Sequence, residues 1–249
     1  MTLNSRKRFG LLGRNISYSF SKGHFTTKFE KENYPSYTYE NFDIPEINAF
    51  PEIIKNTEHL KGLNVTIPYK EDVIPFLDKL SKKAKKIGAV NTIKITKKGK
   101  LKGYNTDYFG FLNSLKPLLQ PNHKKALILG TGGASKGVAF ALEELGIDYT
   151  FVSRNASAKA IDYSQLNADT FQEYQIIINS TPIGTSPNVE ACPEIPYELF
   201  TEQHIAYDLI YNPAETQFLK NAKEHGAQTK NGLDMLIFQA EKAWEIWNK

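Results

Sequence analysis

The chain has 249 residues, of which 41% are hydrophobic, and its formal net charge is +4. That length can hold two modest domains, and the composition is ordinary for a folded soluble protein. No apolar run approaches the roughly 20 residues of a membrane-spanning helix, and the apolar stretch behind the N-terminal basic residues is too short for a signal peptide. The single cysteine, Cys192, cannot form an internal disulfide. We therefore expect a cytoplasmic protein with no membrane partner.

Two clusters of lysines supply much of the positive charge. Their members are Lys82, Lys83, Lys85 and Lys86 in one segment, and Lys97, Lys98, Lys100 and Lys102 around Gly99 in the other. Neither cluster interleaves its cations with the aromatic side chains that would stack on bases. We interpret both as solvated surface and expect no nucleic-acid partner.

The predicted elements alternate between strands and helices from the start of the chain. Strands are predicted over 7–12, 37–42 and 62–66, helices over 25–32 and 47–56, a mostly helical segment over 72–87, and a hairpin over 91–102. This pattern favours an N-terminal α/β domain that ends near Tyr104.

The second half predicts a parallel sheet. A helix over 106–119 precedes apolar strands over 126–129, 148–152, 175–179 and 204–209, and a long helix over 233–247 closes the chain. Apolar runs separated by helices are typical of strands buried on both faces of a parallel sheet. The fold class is therefore α/β.

A glycine-rich turn at 130–133 joins the first of these strands to a helix. Glycines there let the backbone approach a pyrophosphate, and the helix N-terminus directs its N–H groups at the phosphate. The spacing is G-x-G-G rather than G-x-G-x-x-G, so a tight turn that binds nothing is the alternative.

Arg154 follows the next strand, between Ser153 and Asn155. An NAD site commonly carries an acidic residue there, about 20 residues after the glycines, and this strand end has none. A guanidinium can instead bind a 2′-phosphate through paired N–H donors. The position favours NADP over NAD, with an exposed loop arginine as the alternative.

Polar residues also lie at strand ends of the N-terminal domain, where open α/β sheets bind ligands. Ser19 and Ser21 follow the first strand, and in extended backbone both hydroxyls would point the same way and could meet one carboxylate. Other polar residues occupy the segments 62–70, 90–92 and 105–107. Taken singly, each has a structural explanation, such as a helix cap at Asn105 or Thr106.

Together, these segments resemble the shikimate dehydrogenase family over nearly the whole chain. The similar motifs are G…S-x-S at 13–21, N-V-T-x-P-x-K at 64–70, G-A-V-N-T at 88–92, N-T-D at 105–107, G-x-G-G-A at 130–134, N-x-T-P-x-G at 179–184, Y-D-x-x-Y-x-P at 207–213, and N-G-x-x-M with a later Gln at 231–239. Several ordered motifs at compatible spacing are far more specific than the glycine turn alone.

The resemblance implies an NADP-dependent oxidoreductase of aromatic amino-acid biosynthesis that interconverts 3-dehydroshikimate and shikimate without a metal. It implies that Lys70 and Asp107 are the catalytic pair. The implied substrate-binding residues are Ser19, Ser21, Asn64, Thr66, Asn91, Tyr211 and Gln239. The implied cofactor-binding residues are Gly130, Gly132, Gly133, Ala134, Ser153, Arg154, Asn155, Thr181 and Gly232.

The resemblance also implies the domain plan. Residues 1–103 with 231–249 would form the substrate-binding domain, and residues 104–230 a Rossmann-type NADP-binding domain, with the active-site cleft between them. The implied partner is the small-molecule substrate, and the protein would be a monomer or a homodimer.

Three residues depart from the family pattern. Asn15 stands where Pro is usual, Tyr18 where His is usual, and Lys22 where Pro often follows the second serine. They affect the predicted carboxylate-binding loop rather than the Lys70 and Asp107 pair. Two alternatives remain open: a relative that also oxidises quinate, and a ligand-sensing relative without turnover.

Overall fold

The computed structural model describes residues 6–17, 19–155, 157 and 160–249. The chain divides into two compact units, residues 1–106 with 240–249 and residues 107–239. The sequence prediction drew the corresponding boundaries after residues 103 and 230. No helix in the described ranges is long and apolar enough to cross a membrane.

The first unit contains a mixed six-stranded sheet in the order β2-β1-β3-β5-β6-β4. Its strands are β1 (Lys7–Gly13), β2 (Tyr37–Asp43), β3 (Leu60–Val65), β4 (Lys79–Leu80), β5 (Thr92–Ile95) and β6 (Leu101–Tyr104). Strand β1 is parallel to β2 and β3, whereas β5 is antiparallel to both β3 and β6. The helices up to β6 are α1 (Phe20–Lys31), α2 (Phe50–Asn56) and α3 (Lys82–Ile87).

Alternate residues of β1 supply two cores, one on each face of this sheet. Leu12 packs in one cluster with Leu63 and Val65. Phe9 and Leu11 pack in the other, which also contains aromatic side chains of α1, β2 and the C-terminal helix. Burial on both faces explains the apolar run in β1 that the sequence shows.

The second unit contains a six-stranded sheet in the order β12-β11-β10-β7-β8-β9, with every pairing parallel. Its strands are β7 (Lys125–Leu129), β8 (Asp148–Ser153), β9 (Ala160–Asp162), β10 (Ile176–Asn179), β11 (Ile205–Asp208) and β12 (Gln228–Lys230). Counted from β7, this is the 3-2-1-4-5-6 order of the Rossmann fold. The remaining helices are α4 (Asp107–Leu115), α5 (Gly133–Leu145), α6 (Ala168–Glu173), α7 (Gln217–Glu224) and α8 (Leu233–Asn248).

The prediction of a mostly helical segment over 72–87 missed the strand that interrupts it. That segment holds a short 3-10 turn at Ile74–Phe76, then β4, and only then α3. Pro75 lies inside the 3-10 turn and cannot donate a backbone hydrogen bond. The Asp78 carboxylate then accepts the Leu101 N–H at 2.7 Å, which joins the segment to β6.

Candidate active site

The carboxyl end of the first sheet collects most of the polar residues that the sequence singles out. Strands β1, β2 and β3 end there because they run parallel, and Asn64 is the last residue but one of β3. Asn64 pairs with Thr92, the first residue of the antiparallel strand β5. Asn91 and Thr106, which flank β5 and β6, therefore lie at the same edge.

A continuous series of buried hydrogen bonds crosses this edge. The Tyr39 hydroxyl donates to Asn64 Oδ1 at 2.8 Å, and Asn64 Nδ2 donates to Thr92 Oγ1 at 3.3 Å. Thr92 Oγ1 donates to Asn91 Oδ1 at 3.1 Å, and Asn91 Oδ1 also accepts the Thr106 N–H at 2.6 Å. These bonds fix the orientation of both predicted amides, because each amide has a donor and an acceptor already assigned.

Only the first of the two predicted serines lies in extended backbone, so the expectation that both do is wrong. Ser19 is the N-cap of α1 and accepts the Lys22 N–H at 3.3 Å, whereas Ser21 is helical. A serine before a helix commonly caps it in this way. Ser21 hydrogen-bonds the Tyr39 hydroxyl. Since the Tyr39 proton is donated to Asn64, Ser21 is the donor.

Tyr39 is 4% exposed, and its ring stacks on Phe25 with centroids 4.8 Å apart. Burial raises the pKa of the Tyr39 hydroxyl well above its usual range, and the hydrogen bond from Ser21 opposes this only in part. Tyr39 therefore stays a neutral hydrogen-bonding group. No motif in the sequence pointed to Tyr39 as a partner of the predicted substrate residues.

Lys70 and Thr66 lie in the segment after β3. The Thr66 N–H donates to Leu12 O at 2.9 Å, and the Val90 N–H donates to Lys70 O at 2.7 Å. These bonds tie the N-V-T-x-P-x-K segment to β1 and to the G-A-V-N-T segment. Lys70 is half-buried and belongs to the first unit, while Asp107, in the first turn of α4, is buried and belongs to the second.

The glycine turn of the second unit leaves room for a ligand to approach its backbone closely. Gly130 has φ +98°, a conformation that favours glycine, and its N–H donates to Val152 O at 2.8 Å. Helix α5 starts at Gly133 with Gly132 as its N-cap, and no side chain caps it. A Cβ at Gly132 would meet nothing within 4 Å. The start of the helix, which includes Ala134, thus offers N–H groups beside open space.

Arg154 immediately follows β8, as predicted, and is exposed together with Asn155. Ser153 Oγ accepts the Asn155 N–H at 3.4 Å, which closes a tight turn around Arg154. Burial raises the pKa of Tyr163, and the nearby Arg154 charge lowers it. The three residues predicted to bind the 2′-phosphate thus lie at the carboxyl end of β8, which pairs with β7 and β9.

Thr181 is held by a buried network that the sequence did not reveal. Asn179 Oδ1 accepts the Thr181 N–H at 3.0 Å and the Thr181 hydroxyl at 2.6 Å. Asn179 Nδ2 donates to Asp208 Oδ1 at 3.2 Å, and Asp208 also accepts from Thr216 Oγ1 at 2.6 Å and Ile210 N at 3.0 Å. Burial raises the pKa of Asp208 to about 6, against these hydrogen bonds.

The remaining predicted residues lie around α8. The Gly232 N–H donates to Ile210 O at 3.0 Å, and a Cβ at Gly232 would overlap the Leu209 backbone, so only glycine fits. Tyr211 is half-buried on the loop between β11 and α7. Gln239 is buried against Gly110 of α4, one helical turn beyond Asp107. Each unit thus presents part of the predicted set.

Similarity to known proteins identifies the family of this chain. A family model, the shikimate dehydrogenase substrate binding domain, matches residues 11–93. A shikimate dehydrogenase (NADP(+)) from Caldanaerobacter subterraneus subsp. tengcongensis is 38% identical over 98% of this chain and 92% of its own length. The chain belongs to the shikimate dehydrogenase family.

Two solved structures extend the match to the fold. The shikimate dehydrogenase from Aquifex aeolicus is 35% identical, with a TM-score of 0.87, over 100% of this chain and 94% of its own. The shikimate 5-dehydrogenase from Thermus thermophilus, solved with NADP(H) and shikimate, is 34% identical, with a TM-score of 0.85, over 97% and 93%. Both units of this chain are therefore shared with shikimate dehydrogenases.

The departures from the family pattern take distinct forms. Asn15 has φ +57°, which a proline cannot adopt. Lys22 lies in the first turn of α1, where its N–H donates to Ser19. Tyr18 lies outside the described residues.

Proposed function

We propose that this chain is an NADP-dependent shikimate dehydrogenase, which reversibly reduces 3-dehydroshikimate to shikimate in aromatic amino-acid biosynthesis. The observation that carries the proposal is the match, over 97% of the chain, to a relative solved with NADP(H) and shikimate. The catalytic and binding roles below extend that similarity to individual residues.

The second unit fits a dinucleotide. The Gly132 position is open and the start of α5 carries no side-chain cap, which suits a pyrophosphate. Gly130, Gly133, Ala134, Thr181 and Gly232 would line the rest of the bound NADP. Arg154, with Ser153 and Asn155, would bind the 2′-phosphate, because a guanidinium forms paired hydrogen bonds with phosphate oxygens.

The first unit fits a hydroxylated carboxylate. Ser19 accepts one N–H and still has its own proton to donate to a carboxylate. Asn64, Asn91 and Thr66 would offer donors and acceptors to ring hydroxyls. Tyr211 and Gln239, which belong to the second unit, are the remaining predicted substrate-binding residues. Neutral polar groups of both kinds are what a polyol requires.

Lys70 and Asp107 would perform the proton chemistry. Bound NADP supplies the hydride acceptor or donor, so the protein has to orient the substrate and move one proton. The Lys70 ammonium donates a proton to the oxygen that develops negative charge as the ketone is reduced. The Asp107 carboxylate would accept a hydrogen bond from the neighbouring hydroxyl of the substrate.

A steady-state assay of NADPH formation from shikimate tests the proposal. We expect turnover with shikimate and NADP, and weak or no turnover when NAD replaces NADP. Quinate in place of shikimate distinguishes the quinate-oxidising alternative, which predicts comparable rates with both. Binding of shikimate without any turnover would instead support a ligand-sensing relative.

A further inference from the structure

Residues 14–17 and Ser19, which lie between β1 and α1 and are here called the serine loop, are held by side chains of β2. Asp43, the last residue of β2, accepts the Asn15 N–H at Oδ1 (2.9 Å) and the Ile16 N–H at Oδ2 (3.0 Å). Both carboxylate oxygens are thus directed at consecutive peptide groups of this loop. Hydrogen bonds of this kind, to a charged acceptor, are stronger than those between neutral groups.

Ile16 is held on its other side as well. Asn41, also in β2, donates from Nδ2 to Ile16 O at 2.8 Å. The same carbonyl oxygen accepts the Ser19 N–H at 3.2 Å, and the Ile16 side chain is buried. The position of Ser19 therefore depends on Ile16, whose two peptide groups are both fixed by β2.

The backbone of Asn15 makes this arrangement possible. Its φ of +57° is in the left-handed region, which Asn adopts more readily than most residues. A proline at this position would have φ near −65° and no N–H to donate. The Asn15 and Asp43 pair thus performs the positioning that a rigid proline could not provide in this conformation.

We propose that Asp43, assisted by Asn41, is a positioning residue that sets the place of Ser19 for the substrate carboxylate. The inference rests on the proposed function, in which Ser19 binds that carboxylate. Asp43 would act on the substrate through Asn15, Ile16 and Ser19.

The test is Asp43→Ala in the full chain, with steady-state kinetics for both substrates. We expect the KM for shikimate to rise roughly tenfold, the scale of one charge-assisted hydrogen bond. The turnover number and the KM for NADP should stay within about twofold, because the lost contacts act equally on ground and transition states. An unchanged KM for shikimate overturns the proposal.

Glu40→Gln is the matched control. Glu40 lies on the same strand and binds Arg8 through two hydrogen bonds of 2.8 and 2.6 Å, away from the serine loop. It should lower the melting temperature without raising the KM for shikimate. If it raised that KM as much as Asp43→Ala does, the effect would be one of general stability and the proposal would fail.

Two substitutions at Asn15 test the role of its positive φ and of its N–H. Asn15→Gly should keep the KM for shikimate, because glycine adopts a positive φ freely and retains its N–H. Asn15→Pro should reproduce the rise seen with Asp43→Ala. A proline variant with the KM of the wild type would show that the Asn15 contact does not matter.

Ser19→Ala and amide hydrogen exchange separate this inference from the proposed function. If Ser19→Ala raised the KM for shikimate and Asp43→Ala did not, the positioning role of Asp43 would be rejected, and the proposed role of Ser19 would stand. If the wild type has no shikimate turnover, exchange of the Ser19 amide still tests the inference without ligand. That amide should exchange faster in Asp43→Ala although Asp43 does not bond it, and unchanged exchange would overturn the positioning role.

Discussion

The proposed proton transfer depends on Lys70, whose backbone carbonyl is fixed by the Val90 N–H. Lys70→Ala should lower the turnover number about 100-fold or more, the usual cost of losing a general acid. Shikimate should still bind, since its proposed contacts lie mainly elsewhere. Stopped-flow or steady-state turnover together with calorimetric binding measures both quantities, and near-normal turnover would remove Lys70 from the mechanism.

The proposed choice of NADP depends on Arg154. Its replacement by Ala should weaken NADP binding by about 1.5–3 kcal/mol, roughly ten- to a hundredfold, and leave NAD binding almost unchanged. Lys97→Ala removes the same charge from an exposed position in the first unit and serves as the control. The measurement is the affinity for NADP and for NAD, obtained by titration into the wild type, Arg154→Ala and Lys97→Ala. Equal weakening of NAD and NADP binding by Arg154→Ala would contradict the assignment.

The polar edge of the first sheet behaves as one element because Tyr39 joins α1 to β3. Tyr39→Phe removes the donor to the buried Asn64 Oδ1 and the acceptor of the Ser21 proton. The free energy of unfolding should fall by about 1–3 kcal/mol, the cost of leaving a buried polar group unpaired. Urea unfolding measures it, and a loss below about 0.5 kcal/mol would mean that water or a rotated side chain replaces the phenol.

Strands β10 and β11 are joined at their ends by Asp208. Its pKa is raised from 3.8 to about 6 by burial, so the folded chain binds the proton more tightly than the unfolded chain. The contribution to stability is present at low pH and is lost as the pH rises from about 4 to about 6, with a total of about 3 kcal/mol.

Asp208→Asn should remove this part of the pH dependence, because the amide keeps an acceptor towards Ile210 and Asn179 but does not titrate. The measurement is urea unfolding of wild type and variant at a series of pH values. Their difference should change across this interval. A constant difference would show that Asp208 keeps an ordinary pKa.

The sequence predicted those elements whose pattern is dominated by burial. The apolar strands β7, β10 and β11 were identified because both faces of the parallel sheet are buried, and the glycine turn because it lies between an apolar strand and a predicted helix. The strands β9 and β12 were not predicted, the helices α6 and α7 were given no bounds, and β4 inside 72–87 was missed. Their form is determined by tertiary pairing, as where β4 joins β6 through Asp78, rather than by local periodicity.

The site residues likewise include some that the sequence identified and some that it did not. Residues inside recognisable motifs, such as Asn64, Lys70 and Asn91, could be named from the sequence. Tyr39 and Asp43 could not, because each acts through a partner that is distant in sequence and is brought near by strand pairing. Asp208 lies inside a motif, but its bonds to Asn179 and Thr216 were not predicted. Their roles follow from hydrogen-bond geometry, which spacing along the chain does not contain.

At the scale of the whole molecule, the chain carries both parts that the proposed reaction needs. The first unit presents the polar edge with Lys70, and the second presents the Rossmann sheet with its glycine turn, Arg154 and Asp107. The similarity to shikimate dehydrogenases extends across both units rather than one of them. A function that used only one unit would leave the other without a role.

The most direct test of the central claim is the reaction in the reducing direction. The protein is incubated with NADPH and 3-dehydroshikimate, NADPH loss is followed by absorbance, and the product is quantified by chromatography, with Lys70→Ala as the control. The account predicts that shikimate forms in an amount equal to the NADPH consumed, and that the variant forms far less in the same time. NADPH that stays unconsumed, or is consumed without formation of shikimate, would contradict it.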